Sequence, residues 1–299
     1  DLGFLASYEV AKFASTKVKV VFSGDGGDEL FFGYEPFLKW NIGKWLATFP
    51  KFVRENIALS IINRLPADFE YMSFRTKAKI FFNGLMHPEF SRNVTWYSGY
   101  DISGATGILE RDYRQHLIQI NREKISIVYE FLHQLHRDAA DFDDLTRLAI
   151  EYQTTYLPNL ICNHTDKASM AFSIEARSPF LDKEVIAFAN ALPVRAKIRG
   201  NKGKWVLRQC LAKNPAFSHI IRRGKQGYTV PLGIWLRDEL AEFAEHYLSP
   251  ECLSKSKIFN QNEVKQLWSA HKSSVSNNTK KLWPIIVLNH WLEKNEIHV

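Results

Sequence analysis

The sequence predicts an α/β fold in which one strand and its glycine turn form part of the core and the remainder is predominantly helical. Val18–Phe22 is a β-branched and aromatic run, which is typical of a buried strand. Gly24, Gly26 and Gly27 then form a turn, and apolar residues resume as in a helix that begins near Asp28 or Glu29. A strand, a glycine turn and a helix start commonly hold a ligand at the carboxyl edge of a sheet.

Helical spacing dominates the rest of the chain. Aromatic periodicity predicts an all-helical lobe from about Trp40 to Gln134. Lysines alternate with these aromatic residues. We interpret the pattern as a helical face that packs on the core, with lysine stems lying along it, rather than as a surface that stacks on nucleic-acid bases. Tyr97–Gly107, with three glycines and two serines, is the best candidate for a flexible loop. No linker divides the chain, so we expect residues 1–299 to belong to one domain.

Capping signals define two helices in the second half. Asp141, Asp143 and Asp144 predict the acidic start of a helix that ends at Pro158. Asp182 is expected to cap a helix over Lys183–Leu192, which the next residue, a proline, closes.

Composition limits the classes of function. The formal charge of +7 comes without an arginine-rich run or a stacking motif, so it favours anionic ligands such as nucleotides over nucleic acid. Cys162, Cys210 and Cys252 are odd in number and far apart, which predicts neither a disulfide framework nor a zinc site. No apolar run has the length of a membrane span, and we expect a cytoplasmic protein. Because the sequence opens at Asp1, we expect a piece of a longer chain.

The histidines predict structure rather than a metal site. None of the ten lies in an HxH or HExxH pattern. His271 shares a helical face with Val264 and Trp268, so we expect it in the core or at its rim. Pro284 predicts the start of a last helix.

The glycine turn is the strongest candidate site. It carries Asp25, Asp28 and Glu29 and no lysine, whereas a bare phosphate cradle would need a cation beside its backbone amides. An acidic turn suits a hard cation such as Mg2+, or a substrate ammonium group. The alternative interpretation is that Asp28 is an N-cap and Glu29 complements the helix dipole.

Two later segments add charged candidates. Lys167 stands among small residues, and Glu175 and Arg177 follow in an apolar setting that predicts a partly buried ion pair with a scaffold role. Arg222–Pro231 places Lys225 between two glycines, which would bring an ammonium group close to a ligand phosphate. An exposed basic turn is the alternative for that segment.

Taken in order, these segments resemble the glutamine-hydrolysing asparagine synthetase family. Ser-Gly-Asp-Gly-Gly-Asp-Glu-Leu-Phe-Phe-Gly-Tyr at Ser23–Tyr34 is similar to the family's second signature. Asp166–Asp182 is similar to the next block, and Lys225–Leu236 to the third. The resemblance covers nearly the whole chain and identifies residues 1–299 as the C-terminal portion of the synthetase domain.

The resemblance implies a partial ATP-pyrophosphatase core, of the adenine nucleotide alpha hydrolase-like kind. Such a ligase activates a carboxylate, aspartate or a related acid, as an acyl-adenylate with ATP and Mg2+. Pyrophosphate leaves in that step, and ammonia then attacks the acyl-adenylate to form the amide and release AMP. The implied partners are ATP, the carboxylate, the upstream half of the synthetase domain and a glutaminase domain as ammonia source, with neither nucleic acid nor membrane.

The match also implies roles for single residues. Asp28 would ligate Mg2+, and Lys225 would contact phosphate oxygens and stabilise the charge that develops on them. Asp25 would face the acyl acceptor or its amino group. The residues that would line the ATP and substrate pocket are Ser23, Gly24, Gly26, Gly27 and Lys167.

The sequence departs from the family pattern in two ways. It contains neither the first signature, a Ser-Gly-Gly-x-Asp-Ser phosphate loop, nor the glutaminase domain with its terminal cysteine. We therefore expect little activity from this chain alone, and a truncated scaffold or partner-binding module is the alternative function. Asp25 stands where asparagine synthetase proper usually has glutamate, so an amidotransferase acting on a sugar acid also remains open.

Overall fold

A computed structural model describes residues 2–64, 74–97, 108–123, 127–222 and 230–297. The described chain is mostly helical with one small parallel sheet, in agreement with the α/β class. It divides into two compact units. The first unit comprises Asp1–Trp45 and Gln134–Val230, and the second comprises Leu46–His133 and Pro231–Val299.

Short helices make up most of both units. In chain order the elements of the first half are α1 (Leu2–Ser15), β1 (Val20–Phe22), α2 (Gly27–Leu30), α3 (Glu35–Ala47), α4 (Lys51–Arg64), α5 (Phe74–Leu85), α6 (Glu89–Tyr97), α7 (Arg111–Glu123) and α8 (Ile127–Asp138). The second half contains α9 (Asp144–Glu151), a π-helical segment (Tyr152–Cys162), α10 (Asn163–Met170), β2 (Glu175–Arg177), a 3-10 turn (Pro179–Leu181), α11 (Lys183–Ala191), α12 (Val194–Lys197), α13 (Trp205–Ala212), a second 3-10 turn (Pro215–Phe217), α14 (Ser218–Arg222), α15 (Leu232–Trp235), α16 (Ala241–Tyr247), α17 (Pro250–Ser256), α18 (Gln261–Lys272) and α19 (Thr279–Lys294). None of the described helices combines the length and apolar character needed to cross a membrane.

The predicted strand forms, but it is not buried. β1 pairs in parallel with β2, with Val20 opposite Glu175 and Phe22 opposite Arg177. Val20 is 42% exposed and Phe22 is 78% exposed, so the expectation of burial is wrong for this chain. A β-branched run favours extended backbone, whereas burial requires another layer to cover the face of the sheet.

The pair of Glu175 and Arg177 also lies on the surface. Arg177 Nε donates to Glu175 Oε1 over 2.8 Å, as predicted, but the two side chains are 58% and 61% exposed rather than partly buried. Residues two apart on a strand point to the same face, and this face is open to solvent. A surface ion pair of this kind contributes little to stability, because solvent screens the two charges.

The predicted helix caps are present. Asp143 accepts hydrogen bonds from the backbone amides of Leu145 and Thr146, both at 3.1 Å, at the start of α9. Asp182 caps α11 by accepting from the amide of Glu184 at 2.8 Å. These two helix starts are confirmed, because a side-chain oxygen satisfies amides that have no partner within the helix.

Prolines interrupt the helices less than predicted. Pro158 lies inside the π-helical segment, and the chain stays helical from α9 through α10, so the predicted helix end at Pro158 is wrong. In an α-helix the proline ring would clash with the carbonyl four residues earlier, and the wider π-helical turn changes that contact. Pro284 lies within α19 rather than at its start, since that helix begins at Thr279.

The helical lobe is confirmed where it is described. Between Trp40 and Gln134 the described residues form helices α3 to α8, together with an isolated bridge between Leu109 and Phe259. Trp40 is 2% exposed, as expected for a packed aromatic face. The predicted loop at Tyr97–Gly107 falls outside the described residues after Tyr97.

His271 lies in the core of the second unit, as predicted. It is fully buried; its Nε2 is 3.0 Å from the carbonyl oxygen of Gly233, and its Nδ1 accepts from the amide of Asn278 at 3.2 Å. A neutral imidazole with its proton on Nε2 satisfies both contacts. Burial lowers the pKa of His271 below its ordinary value of 6.5, and the charge of Arg237 lowers it further.

We expect the stability of the second unit to fall in mild acid. Because the folded-state pKa of His271 lies below the unfolded value, its contribution is complete above about pH 6.5 and is lost as pH falls towards the folded-state value. Urea unfolding of wild type and His271→Gln between pH 8 and pH 5 measures how the free energy of unfolding depends on pH. The variant, which cannot titrate there, should show the shallower loss, and equal pH dependence in both proteins would contradict the assignment.

Candidate active site

The glycine turn lies where the two strands of the sheet end. The backbone amide of Ser23 donates to the carbonyl oxygen of Arg177 at 2.8 Å, which extends the strand pairing by one residue. The hydroxyl of Ser178 donates to the carbonyl oxygen of Asp25 at 2.6 Å. The turn and the chain after β2 are therefore held together at the carboxyl edge of the parallel pair, the edge at which α/β proteins bind ligands.

Packing disfavours a side chain at two of the turn's glycines. Gly26 has φ of 83°, and a Cβ there would collide with the side chain of Leu181. A Cβ on Gly27 would lie 3.2 Å from the ring of Phe180. The amide of Gly27 donates to the carbonyl oxygen of Gly24 at 3.1 Å, so it closes the turn. Gly24 is exposed with open space around its Cα, and it is the glycine of the turn that faces outward.

Asp28 is not a helix cap. Helix α2 begins at Gly27, one residue before the predicted start, and its N-cap is Gly26, which has no side chain. The Asp28 carboxylate instead pairs with the ammonium group of Lys204, with Oδ1 and Nζ 3.0 Å apart. The two side chains are 20% and 32% exposed, but the paired oxygen, Asp28 Oδ1, is itself buried.

Asp25 and Glu29 differ in environment. Asp25 is half-buried, and its Oδ2 accepts from the hydroxyl of Ser23 at 3.0 Å. Glu29 is buried, and the hydroxyl of Tyr34 donates to its Oε1. Burial raises the pKa of the Glu29 carboxyl, with the hydrogen bond from Tyr34 acting in the opposite direction. Asp25 is thus the more accessible acid for a ligand.

The π-helical segment packs behind Glu29. Tyr34 stacks on Tyr152 with ring centroids 4.9 Å apart, and it meets Tyr156 edge-on at 5.7 Å. Both partners lie one helical turn apart in the π-helical segment, a type of helix that is frequent at functional sites. This aromatic cluster orients the hydroxyl that holds Glu29.

Lys204 is the charged residue that the sequence analysis missed. It precedes α13 and has φ of 55°, and its amide donates to the carbonyl oxygen of Phe31 at 2.8 Å. The sequence pattern that could have singled out Lys204 is present in Arg199–Lys204, which reads Arg-Gly-Asn-Lys-Gly-Lys. A lysine between or after glycines is the same pattern that singled out Lys225.

A second lysine lies against the same turn. Phe32 is fully buried with φ of 58°, and its ring stacks on that of Phe37 with centroids 4.5 Å apart. The ammonium group of Lys197 lies 4.8 Å from the centroid of the Phe32 ring, a cation–π contact. Burial lowers the pKa of Lys197 to about 8. The packing of the turn therefore includes a desolvated amine as well as apolar rings.

The remaining predicted residues are not joined to the turn by what the structure describes. Lys167 is exposed on α10, and its assignment to a phosphate contact stays a prediction. Lys225 lies outside the described residues, so its position relative to Asp28 stays a prediction as well.

The residues fit a magnesium ion held mainly by its substrate. Among the residues that the structure describes, no group of three or more His, Cys, Asp or Glu side chains is placed to hold a metal ion. Mg2+ typically keeps several waters and binds one or two carboxylates together with substrate phosphates. The partly exposed side chain of Asp28 would supply one such carboxylate, whereas the described residues form no cage made only of protein ligands.

Comparison with known proteins identifies the family. The asparagine synthase family profile matches residues 4–293. The chain is 26% identical over 292 residues to the glutamine-hydrolyzing asparagine synthetase 1 of Bacillus subtilis strain 168, covering 97% of this chain and 43% of that protein. It is 28% identical over 293 residues to a putative glutamine-hydrolyzing asparagine synthetase of Mycobacterium tuberculosis strain H37Rv, covering 97% and 42%.

A plant relative matches a shorter segment. The glutamine-hydrolyzing asparagine synthetase 3 of Arabidopsis thaliana is 36% identical over 109 residues, covering 34% of this chain and 19% of that protein. No solved structure gives a significant match. The chain spans less than half the length of the two relatives that it matches from end to end. The profile match over almost all of its residues shows that this chain belongs to the asparagine synthase family.

Proposed function

We propose that this chain is the C-terminal part of a synthetase domain with an ATP-pyrophosphatase core. The domain activates a carboxylate, aspartate or a related acid, as an acyl-adenylate with release of pyrophosphate, and ammonia then displaces AMP to form the amide. The observation that carries the proposal is the acidic glycine turn at the carboxyl ends of β1 and β2, within a chain that the family profile covers over residues 4–293. The relatives' names supply the amide product and glutamine as the source of nitrogen.

Charge neutralisation is the main physical demand of this reaction. Negative charge accumulates on the α- and β-phosphates as pyrophosphate leaves, and fixed positive charges stabilise it. Asp28 would hold Mg2+, which when bound supplies positive charge at the phosphate oxygens. Lys225 would contact the same oxygens, with Lys167 as a further candidate contact.

The turn would position the substrate. The amides of Gly24 and Gly26 would face the ligand, together with the hydroxyl of Ser23, while the amide of Gly27 is used to close the turn. Asp25 is half-buried and oriented by Ser23, which suits a carboxylate that pairs with the amino group of an amino acid substrate.

Exposed apolar side chains on and near the sheet support the proposal that an upstream half of the synthetase domain packs against this chain. Val20 and Phe22 on β1 and Phe13 on α1 are large apolar side chains that the described chain leaves between 42% and 78% exposed. An upstream half of the synthetase domain that adds strands to this sheet would cover them. The glutaminase domain would supply ammonia to the assembled site.

An acceptor screen on the intact protein tests the proposal. Pyrophosphate release is measured with ATP, Mg2+ and ammonia in the presence of aspartate, other amino acids and sugar acids. We expect one class of acid to stimulate release, with equal amounts of AMP and amide formed. Release at the acid-free rate with every acid, in a protein that still binds ATP, would contradict the synthetase and favour the non-catalytic module.

A further inference from the structure

The ion pair between Asp28 and Lys204 joins the acidic turn to the start of α13, and the function proposed above gives Lys204 no role. The two charged atoms are 3.0 Å apart, and both side chains are partly exposed. An ammonium group at that distance occupies a side of the carboxylate on which a divalent cation would otherwise bind. The pair therefore raises the question of how Asp28 becomes available to a metal ion.

The position of Lys204 is imposed by the backbone. Lys204 and Phe32 are both non-glycine residues with positive φ, at 55° and 58°, a conformation that is unfavourable and persists only where the surroundings enforce it. The amide of Lys204 donates to the carbonyl oxygen of Phe31, which ties the two strained segments together. Strain of this kind is retained most often at functional sites.

Two glycines permit the close approach of Lys204 to the turn that carries Asp28. A Cβ on Gly203 would collide with the carbonyl oxygen of Phe32, which is backbone and cannot rotate away. A Cβ on Gly33 would collide with the carboxylate of Asp28 and with Cε of Lys204. Both glycines leave room for the lysine stem to pass over the turn, so the ion pair is built into the fold rather than formed by chance at a surface.

Electrostatics makes Lys204 a competitor of the metal ion and a ligand for phosphate. An ammonium group and Mg2+ on one carboxylate repel each other, so the ion pair opposes cation binding at Asp28. Triphosphate offers the ammonium group a more highly charged partner, and lysine binds phosphate as a compact point charge.

We propose that Lys204 is a positioning residue that makes metal binding at Asp28 depend on the nucleotide. Without nucleotide, Lys204 holds the Asp28 carboxylate and opposes a divalent cation. When ATP binds, the ammonium group moves to a phosphate oxygen and leaves Asp28 to the Mg2+ that ATP carries. The inference rests on the proposed function, since it assigns Lys204 to the same nucleotide site.

Lys204→Met in the intact protein tests the inference, with Lys202→Met as the matched control. Lys202 is an exposed lysine two residues away, so its loss changes net charge equally without removing the ion pair. Mn2+ binding, read by electron paramagnetic resonance without nucleotide, should be about 10-fold tighter in Lys204→Met than in wild type, equivalent to about 1.4 kcal/mol. Binding of a non-hydrolysable ATP analogue with Mg2+ should be about 10-fold weaker.

Further outcomes separate this inference from the function on which it rests. Lys202→Met should match wild type in both measurements, and Lys204→Arg should restore most of the nucleotide affinity. If wild type binds Mn2+ and the analogue but Lys204→Met binds both with unchanged affinity, the role of Lys204 is wrong and the proposed function stands. Weaker binding of both ligands together with a lower unfolding midpoint would show a purely structural lysine. If wild type binds neither ligand, the proposed function fails and the inference fails with it.

Discussion

Asp28→Asn in the intact protein is expected to lower acid-stimulated pyrophosphate release by about 1,000-fold, the upper range for loss of one electrostatic contact to a transition state. Asparagine keeps the size of the side chain but removes the charge that would hold Mg2+ against the phosphates. The rate is measured at saturating ATP and acid, so that weaker substrate binding does not account for the loss. The stability should change by only about 1 kcal/mol, because asparagine keeps the size of the side chain and both side chains of the ion pair are partly exposed.

Glu175→Gln is the matched control for this experiment. It removes a carboxylate from an exposed ion pair on β2, in the same unit as Asp28, and should leave the rate unchanged. Lys225→Ala is expected to lower the rate as strongly as Asp28→Asn, since both groups would act on the same phosphates. A wild-type rate in Asp28→Asn would show that Asp28 has no catalytic role. The same result in Lys225→Ala would show this for Lys225.

Gly203→Ala is expected to destabilise the first unit by about 3 kcal/mol, the upper part of the range for adding an atom to a packed interior. The added Cβ meets the carbonyl oxygen of Phe32, so the backbone of one segment has to shift. That shift also increases the distance between the ammonium group of Lys204 and the carboxylate of Asp28. Urea unfolding, followed by circular dichroism, measures the change in the free energy of unfolding.

Gly24→Ala is the control for Gly203→Ala. Nothing lies within 4 Å of a Cβ built on Gly24, so the substitution should change stability by less than about 1 kcal/mol. If Gly203→Ala unfolds at the same urea concentration as wild type, the close approach of the lysine segment to the turn is wrong. Equal destabilisation by both substitutions would show that replacing either glycine by alanine is unfavourable in itself, and not that the Cβ at position 203 meets the backbone of Phe32.

Local structure was largely predictable from residue order. Asp143 and Asp182 cap helices where their positions predict, because an N-cap depends on a side chain and on amides two or three residues away. The positive φ of Gly26 follows from the same kind of short-range constraint. The sequence alone does not predict the continuous helix through Pro158, since the hydrogen-bonding pattern that accommodates the proline depends on how that helix packs.

Contacts between distant segments were not predictable. Lys204 lies 176 positions after Asp28 in the chain, yet the two charges are 3.0 Å apart. The exposure of Phe22 likewise depends on which layers cover the sheet, and its residue type gives no information about that. The sequence leaves Glu29 either as part of a cation site or as a partner of the helix dipole, and its burial against Tyr34 follows only from the fold.

Residue order by itself determined the strand, the glycine turn, the helix caps and the family, because each depends on a few neighbouring residues whose conformational preferences are local. The tertiary structure alone decided that Asp28 faces a lysine rather than capping its helix, and that Glu29 is buried and Asp25 accessible. The physical reason is that charge pairing and burial depend on distances between segments far apart in the chain, and only the packed backbone sets those distances.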